Sequence, residues 1–410
     1  MLKAVVPQDA PSTTTYRSTP RWRRANVVLG KVIPSLLLLF AVKGYRLVLL
    51  EVFPHVISRN RFAGVSYFAW VHLTLAASAW SYFQVYFEPL DPPKEKDPPL
   101  AVQERRVVFA CEKDGSPARC WKDRCGGACR SIRTRHCRDC GTCRAGQHHH
   151  CSFADNCVTT SRTFKPFTCF LFYAAALLVV ALVPLAPLQL RACREVIKQT
   201  WSSSLLQQRW WSRWYGWAGG PVWHYAGALY LGYKHYQTIA PDRPLLVADV
   251  ETRTIKQGGV TYAYDVPLYP SLAVPHLGTL VIVLFAVMIS LIAFAMIAVI
   301  VRDTRTDTTP IQVERTRLWR QQQGQPNPDY DARFRLWVPL PKEESTEGGA
   351  IVIVDPDVPL FDLGPEENWR RLMGEKWWHW FLPWIPSRVS DFDFNPAVLA
   401  SLEEQARKAQ

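Results

Sequence analysis

The sequence contains no helix-turn-helix, RNA-recognition or zinc-finger spacing, and no internal repeat. Its formal net charge of +13 would suit a nucleic acid, but the basic residues cluster beside apolar segments. A lipid surface, or the phosphates of a soluble cofactor, is therefore the expected anionic partner. A nucleic-acid partner is not expected.

The first 25 residues also lack the apolar run of a cleavable signal peptide. They are polar and include Arg17, Arg21, Arg23 and Arg24 just ahead of the first apolar segment. Because basic residues beside a first span favour the cytosolic side, we expect the amino terminus to stay in the cytosol.

No charged residue occurs between Leu280 and Val301. This stretch is long enough to cross a bilayer as a helix, which takes ~20 residues. Three further apolar stretches have a similar length, and together the four predict an α-helical integral membrane protein with four transmembrane helices. The stretches are residues 32–50, 64–87, 167–190 and 276–301. The first contains Lys43 and Arg46 and follows Lys31, so an interfacial helix remains the alternative there.

A cytosolic amino terminus and four spans place residues 101–166 and the carboxyl tail in the cytosol as well. Residues 101–166 hold 13 Lys or Arg against 6 Asp or Glu, which agrees with a site next to anionic lipid. Residues 191–275 then fall in the lumen. Arg191, Arg194 and Lys198 oppose this placement, but long loops translocate largely regardless of charge.

This topology divides the chain into seven predicted segments. They are a cytosolic tail at 1–30, spans one and two with a linker at 31–100, a cysteine-rich zinc and catalytic domain at 101–166, span three at 167–190, a Trp-rich lumenal loop at 191–275, span four at 276–301 and a cytosolic tail at 302–410. Within the last segment, AIVIVD predicts a short strand, residues 395–409 predict a closing helix, and EKWWHWFLPWIP has the aromatic composition of an interfacial segment.

The cysteines are concentrated in one place: nine of the 11 lie between Cys111 and Cys157. Disulfides are not expected on the reducing, cytosolic side of a membrane. Clustered Cys and His residues separated by two to five positions instead favour tetrahedral zinc sites. Because the run contains more than four possible ligands, it predicts two interleaved sites.

The segment RTRHCRDCGTCRAGQHHHCSFADNCV resembles the cysteine-rich domain of the DHHC palmitoyltransferases, with the family's spacing at every Cys and His. The resemblance implies four spans, with this domain on the cytosolic side between spans two and three. In the tail, LFDLGPEENWRRLMG is similar to the family's carboxyl-terminal motif, and residues 308–314 are a loose version of its TTxE element.

The resemblance also implies two structural zinc ions and their ligands. One ion would be held by Cys120, Cys125, His136 and Cys143, and the other by Cys137, Cys140, His150 and Cys157. The upstream pair stays open, because none of Cys120, Cys125 and Cys129 reproduces the family's C-x2-C spacing; Cys125 with Cys129 is the alternative pair.

By the same resemblance, Cys151 is the nucleophile and His149 the base that promotes its thiolate. Palmitoyl-CoA is the expected acyl donor, and membrane-associated proteins are the expected acceptors. A second interpretation has His149, instead of His150, as the zinc ligand. The expected location is the endomembrane system (ER, Golgi or vacuole), with the catalytic domain facing the cytosol.

His148 stands where the family has an Asp that would orient the base, and Ser152, Phe153 and Arg162 are further departures from the family pattern. A neutral His148 supplies no negative charge, so a zinc-stabilised membrane adaptor with little turnover is the competing function. Ion transport is disfavoured because residues 167–190 and 277–301 contain no acidic or His residue.

Overall fold

The computed structural model describes residues 20–89, 97–239, 246–247, 249–257, 260–322, 331–341, 348–390 and 392–409. Its α-helices, in chain order, are α1 (Pro20–Leu47), α2 (Phe53–Arg59), α3 (Arg61–Tyr86), α4 (Leu100–Gln103), α5 (Phe164–Ser202), α6 (Ser204–Leu206), α7 (Trp214–Trp217), α8 (Gly220–Ile239), α9 (Pro270–Ala273), α10 (Leu277–Arg305), α11 (Pro310–Gln321), α12 (Pro365–Met373) and α13 (Pro396–Lys408). Two π-helical turns, Val48–Val52 and Gln207–Trp211, and two 3-10 turns, Asp123–Cys125 and Trp377–Phe381, complete the helical elements of the described residues.

The strands are short and antiparallel. In chain order they are β1 (Phe109–Ala110), β2 (Arg119–Cys120), β3 (Ala128–Cys129), β4 (Arg135–Cys137), β5 (Thr142–Arg144), β6 (Gln147–Cys151), β7 (Asn156–Thr159), β8 (Val250–Gln257), β9 (Val260–Pro267), β10 (Phe334–Pro339) and β11 (Gly349–Val354). The pairs β2–β3, β4–β5, β6–β7 and β8–β9 form two-stranded sheets, and β1, β10 and β11 form one three-stranded sheet.

Among the described residues, α3, α5 and α10 are long and apolar enough to cross a membrane. Helix α5 packs along both α3 and α10. The turn into α3 is tight, since a Cβ on Gly64 would lie 2.4 Å from Cβ of Ile57, and the Asn60 side chain caps the helix by accepting a bond from the Ala63 N–H. These three helices correspond to predicted spans two, three and four.

Predicted span one falls on α1 and the π turn that follows it, and its crossing of the membrane stays a prediction. The π turn contacts the segment before α10, because the Glu51 carboxylate accepts bonds from the Ser271 N–H at 2.7 Å and the Ser271 hydroxyl at 2.6 Å. Residues 1–19 of the predicted cytosolic tail and residues 90–96 of the predicted linker lie outside the described residues.

Helix α5 extends beyond the predicted end of span three. Its 39 residues make a helix about 58 Å long, whereas about 30 Å crosses the hydrocarbon layer. The apolar run ends at Leu190, but Ala192 and Val196 continue the helix by packing on Tyr233 and Tyr236 of α8. The predicted lumenal loop therefore contains helical structure packed on α5, together with the hairpin β8–β9.

The tail folds around β10 and β11, to which β1 of the cysteine-rich segment adds a third strand. Strand β10 pairs with β11 from Phe334 opposite Val354 to Pro339 opposite Gly349, and α13 packs on both strands. The predicted strand AIVIVD lies in β11, and the predicted closing helix is α13, whose first N–H groups are capped by Asn395. Both predictions are confirmed.

Buried Asn368 of α12 joins the tail to the end of α10. Its side-chain amide donates to the Arg305 carbonyl at 3.1 Å and to the Asp362 carboxylate at 2.7 Å, and its oxygen accepts from the Leu363 N–H at 3.0 Å. The side chain thus bonds both to the end of α10 and to the adjacent residues Asp362 and Leu363, which holds α12 close to the membrane-spanning helices.

Candidate metal centres and active site

The first Cys/His cluster combines residues from β2, the first 3-10 turn, β4 and β5. His136 lies directly opposite Cys143 in the β4–β5 pair. The Nδ1 atom of His136 is 3.6 Å from Cys120 Sγ and 3.5 Å from Cys125 Sγ. All four possible ligand atoms lie within 4.8 Å of one another.

The second cluster has the same composition. His150 lies opposite Cys157 in the β6–β7 pair, and its Nδ1 atom is 3.8 Å from Cys137 Sγ, 3.4 Å from Cys140 Sγ and 3.9 Å from Cys157 Sγ. His136 and Cys137 are neighbours on β4, and because successive strand side chains point to opposite faces, each enters a different cluster. This alternation explains why the two ligand sets interleave along the chain.

The chemistry of both clusters fits zinc. Each offers three thiols and one imidazole, a common donor set of structural zinc sites, and all of these cysteines are free of disulfides. Zinc–sulfur bonds of about 2.3 Å place tetrahedral ligand atoms about 3.8 Å apart, close to the measured sulfur–nitrogen distances. Cysteines make up most of the two small buried groups of side chains at these sites.

A carboxylate stands behind each imidazole. Asp123 Oδ2 is 3.0 Å from the Nε2 atom of His136, and Asp155 Oδ1 is 3.9 Å from the Nε2 atom of His150. Metal-ligating histidines commonly donate their second ring N–H to a carboxylate, which fixes the tautomer, and the Asp123 distance fits such a bond, whereas the Asp155 distance is too long for one. The clusters contain the eight residues that the resemblance implies. Cys129 lies outside them on β3, opposite Arg119.

Cys151 ends β6 and is only 3% exposed. It belongs to a hydrophobic cluster that includes Phe164 and Phe167 of α5 and Met373 of α12. Burial raises the pKa of the Cys151 thiol, and the backbone N–H groups of Ala154 and Phe153 oppose this effect. The thiol therefore lies where α5, the tail and the cysteine-rich segment meet.

His149 precedes Cys151 by two positions on β6, so strand alternation directs both side chains to the same face. The His149 ring lies edge-on to Phe167, with 5.5 Å between ring centroids. Burial, followed by the charge of neighbouring His150, lowers the pKa of His149. A neutral imidazole can accept a proton, and its position on the same strand face as the thiol agrees with the role predicted for this residue.

His148 is placed differently by a β-bulge. Gln147 pairs with Thr159 and His149 pairs with Val158, so His148 is the extra residue on β6. Its Nε2 atom lies 3.2 Å from the Thr160 hydroxyl oxygen, and its ring packs on Phe164 with 4.4 Å between centroids. Burial first, and then the charges of His149 and Arg133, lower the pKa of His148 to about 3.

Two residues that sequence reasoning missed connect the Cys151 turn to the end of α3. The Tyr82 hydroxyl donates to the Phe153 carbonyl at 2.8 Å. The Asn156 amide donates to the Val85 carbonyl at 2.9 Å and to the Glu88 carbonyl at 2.8 Å, and Asn156 lies opposite Cys151. No local pattern in the sequence marks Tyr82, whereas Asn156 directly precedes the predicted ligand Cys157.

A cavity of about 670 Å³ is lined by Asn156 and by three arginines, Arg130, Arg144 and Arg162. Arg162 pairs with Glu88 at 2.8 Å. The Nη1 atom of Arg144 donates to the Pro89 carbonyl at 3.1 Å, but within the described part of the chain the Nε atom of Arg130 and the Nε and Nη2 atoms of Arg144 are buried without a hydrogen-bond partner. Buried guanidinium nitrogens without a partner are costly, so this cavity is suited to an anionic ligand.

The described residues combine apolar helices long enough to span a membrane with two Cys/His clusters that could bind zinc. The chain is therefore of the class of membrane proteins with a cysteine-rich, zinc-binding domain. Comparison with known proteins identifies the particular domain. Residues 118–239 match the family model of the DHHC palmitoyltransferases, so this part of the chain is a DHHC palmitoyltransferase domain.

A curated relative, palmitoyltransferase PFA3 of Yarrowia lipolytica (strain CLIB 122 / E 150), is 39% identical over 54 residues. The alignment covers 12% of this chain and 14% of that protein. The resemblance is therefore confirmed over the cysteine-rich domain and α5.

Proposed function

We propose that the chain is a protein S-palmitoyltransferase that moves a fatty acyl group from acyl-CoA onto cysteines of membrane-associated proteins. The observation that carries the proposal is the placement of a free cysteine, Cys151, outside both Cys/His clusters and on the same face of β6 as His149. The match of residues 118–239 to the DHHC domain supports the same reaction.

In the proposed reaction, His149 accepts the Cys151 proton and the thiolate attacks the thioester carbon of acyl-CoA. The bond between the acyl group and Cys151 forms as the bond to the CoA sulfur breaks, and the departing thiolate takes the proton from His149. A substrate thiol then attacks acyl-Cys151 in a second thioester exchange, which regenerates the enzyme.

Zinc, when bound, would stabilise the fold. Cys120, Cys125, His136 and Cys143 would hold one ion, and Cys137, Cys140, His150 and Cys157 the other. Because β6 and β7 supply His150 and Cys157, the second site would fix the strand register that brings His149 and Cys151 to one face. The metal's contribution is folding free energy.

The arginine-lined cavity supports an acyl-CoA donor. Asn156, which lies opposite Cys151 in the β6–β7 pair, lines the cavity, whereas Cys151 is not among the lining residues. We propose that Arg130 and Arg144 take phosphate groups of CoA, because each has a buried guanidinium nitrogen without a partner in the described residues.

The topology proposal places the amino terminus, residues 101–166 and residues 302–410 in the cytosol, and residues 191–275 in the lumen of an endomembrane compartment. The end of α3 and the start of α5 both contact β7, and the end of α10 bonds to Asn368 of the tail. This arrangement supports a cysteine-rich domain and tail on one side of the bilayer.

The direct test is hydroxylamine-sensitive labelling of the purified, zinc-loaded chain by a palmitoyl-CoA analogue. We expect labelled protein for wild type and no label for Cys151→Ser. Cys129→Ser is the matched control, because Cys129 lies in the same domain but outside both clusters, and it should keep the label. Equal labelling of wild type and Cys151→Ser would contradict the proposal.

A further inference from the structure

The tail segment after α12 carries three tryptophans whose side chains are exposed. Trp377, Trp378 and Trp384 are 68%, 43% and 60% exposed. Gly374, with φ +107°, redirects the chain after α12, and the Trp380 indole N–H donates back to its carbonyl at 3.1 Å. The segment is therefore a defined turn with an aromatic outer face.

The inner face of this segment lies against the first turns of α5. Cys169 Sγ donates to the Trp380 carbonyl at 3.3 Å, and the Tyr173 hydroxyl donates to the Phe381 carbonyl at 2.8 Å. Cys169 and Tyr173 lie about 7 and 13 Å along the helix axis from Phe164, the first residue of α5.

These two hydrogen bonds matter at membrane depth, where little water is present. A non-helical backbone is tolerated there only where its polar groups bond to protein, and α5 provides donors for the carbonyls of Trp380 and Phe381. On the outer face, indole rings favour the boundary between lipid headgroups and acyl chains. Lys376 lies 5.8 Å from the Trp378 ring centroid, where its ammonium group can face anionic headgroups.

We propose that residues 377–384 form a membrane-surface anchor that inserts its tryptophans into the leaflet at which α5 begins. The partner is the lipid bilayer. On the inner side, Trp380 and Met373 pack in the same hydrophobic cluster as Cys151, so the anchor holds one wall of the candidate active site against the membrane surface. The inference requires that α5 crosses a membrane, and it does not depend on acyl transfer.

Photolabelling from the lipid phase tests this placement directly. The purified full chain is reconstituted in nanodiscs of phosphatidylcholine with phosphatidylserine and a lipid that carries a diazirine just below its headgroup. We expect peptides containing Trp377 and Trp384 to be labelled like the start of α5. Trp121, which is 75% exposed in the cysteine-rich domain, is the control and should stay unlabelled. An unlabelled tail peptide, or equal labelling of Trp121, would overturn the proposal.

A variant series gives a second, independent readout. Trypsin cleavage after exposed Lys376 should be at least tenfold slower in nanodiscs than cleavage after exposed Lys122. Replacing Trp377, Trp378 and Trp384 with Gln should raise cleavage after Lys376 several-fold and leave cleavage after Lys122 and the zinc content unchanged. Trp121→Gln should change neither rate. Protection of Lys376 that depends on protein concentration, with crosslinks between tails, would instead assign the surface to a second copy of the chain and contradict a lipid partner.

Discussion

His148 Nε2 lies 3.2 Å from the hydroxyl oxygen of Thr160, and that hydroxyl donates its own proton to the Gly146 carbonyl at 2.9 Å. Thr160 can therefore only accept from His148, which places the ring proton of a neutral His148 on Nε2. The hydrogen bond that His148 donates to Thr160 thus braces the bulge in β6. His148 replaces the family's Asp with a packed, uncharged side chain that offers no carboxylate to His149.

Restoring the carboxylate with His148→Asp should speed acylation of Cys151 near neutral pH. A negative charge beside His149 favours the imidazolium form and hence the neighbouring thiolate, and a shift of one pKa unit corresponds to ~1.4 kcal/mol. The Thr160 hydroxyl can rotate to donate to the new carboxylate, so the bulge keeps a hydrogen bond. We expect a several-fold higher rate of hydroxylamine-sensitive labelling.

His148→Gln is the matched control, since it can still donate to Thr160 but adds no charge. Its acylation rate should stay close to that of wild type, and both variants should keep their zinc. If His148→Asp is no faster than His148→Gln, charge at this position does not limit the reaction.

Because the chain has two Cys/His clusters, we expect elemental analysis to find two zinc ions per chain. Cys140→Ser should lose the ion of the second cluster, and Cys120→Ser that of the first, each with a large drop in thermal stability, because structural zinc contributes folding free energy. Cys129→Ser should keep both ions and the stability of wild type. Zinc loss in Cys129→Ser but not in Cys120→Ser would reinstate the alternative pair of Cys125 with Cys129.

The grouping of eight Cys and His residues could be anticipated from the family resemblance, whereas the local spacings alone indicated two interleaved sites without dividing the ligands between them. The apolar runs similarly indicated the helices α3, α5 and α10. The bulge at His148 could not be anticipated, since it depends on the register of β6 against β7, and one residue of slip exchanges the two faces of a strand.

Contacts between segments that are far apart in the chain also could not be predicted from the sequence. Strand β1 pairs Phe109 with Trp337, and no local pattern links segments so far apart in the chain. The extension of α5 past Leu190 follows from its packing on α8, whereas the hydropathy that marked span three ends at that residue. Contacts of Tyr82 with Phe153 and of the tail with α5 depend on tertiary packing in the same way.

Asn368→Ala should loosen the tail from the membrane helices. The variant leaves the Arg305 carbonyl, the Asp362 carboxylate and the Leu363 N–H without their partner, which costs about 2 kcal/mol or more. We expect a lower thermal midpoint and slower acylation, because α12 carries Met373, which packs in the Cys151 cluster. Glu366→Gln, on the exposed first turn of α12, should alter stability by less than about 0.5 kcal/mol.

The topology proposal predicts where glycosylation acceptors will be modified. An Asn-x-Ser/Thr site inserted in the β8–β9 turn should be glycosylated, because this turn belongs to the predicted lumenal segment. Acceptors inserted after α13 or between β2 and β3 should remain unmodified, as shown by unchanged mobility after glycosidase treatment. Modification within the cysteine-rich domain would overturn the topology and separate the domain from cytosolic acyl-CoA.

The pH dependence of acylation should distinguish a neutral Cys–His pair from a preformed ion pair. Burial raises the pKa of Cys151 and lowers that of His149, so near pH 7 both groups are mainly uncharged. The thiolate fraction then increases as pH rises towards the Cys151 pKa, by about tenfold per unit while it remains small. Because the His149 pKa is lowered from its ordinary value, His149 is mainly deprotonated above pH 7 and adds no second limb there. We expect single-turnover labelling to rise steadily from pH 7 to pH 9 in wild type, with slower labelling throughout for His149→Ala, at constant zinc content. A flat profile in wild type would show that the thiolate and imidazolium are both formed at neutral pH, contrary to the buried environment of the two side chains.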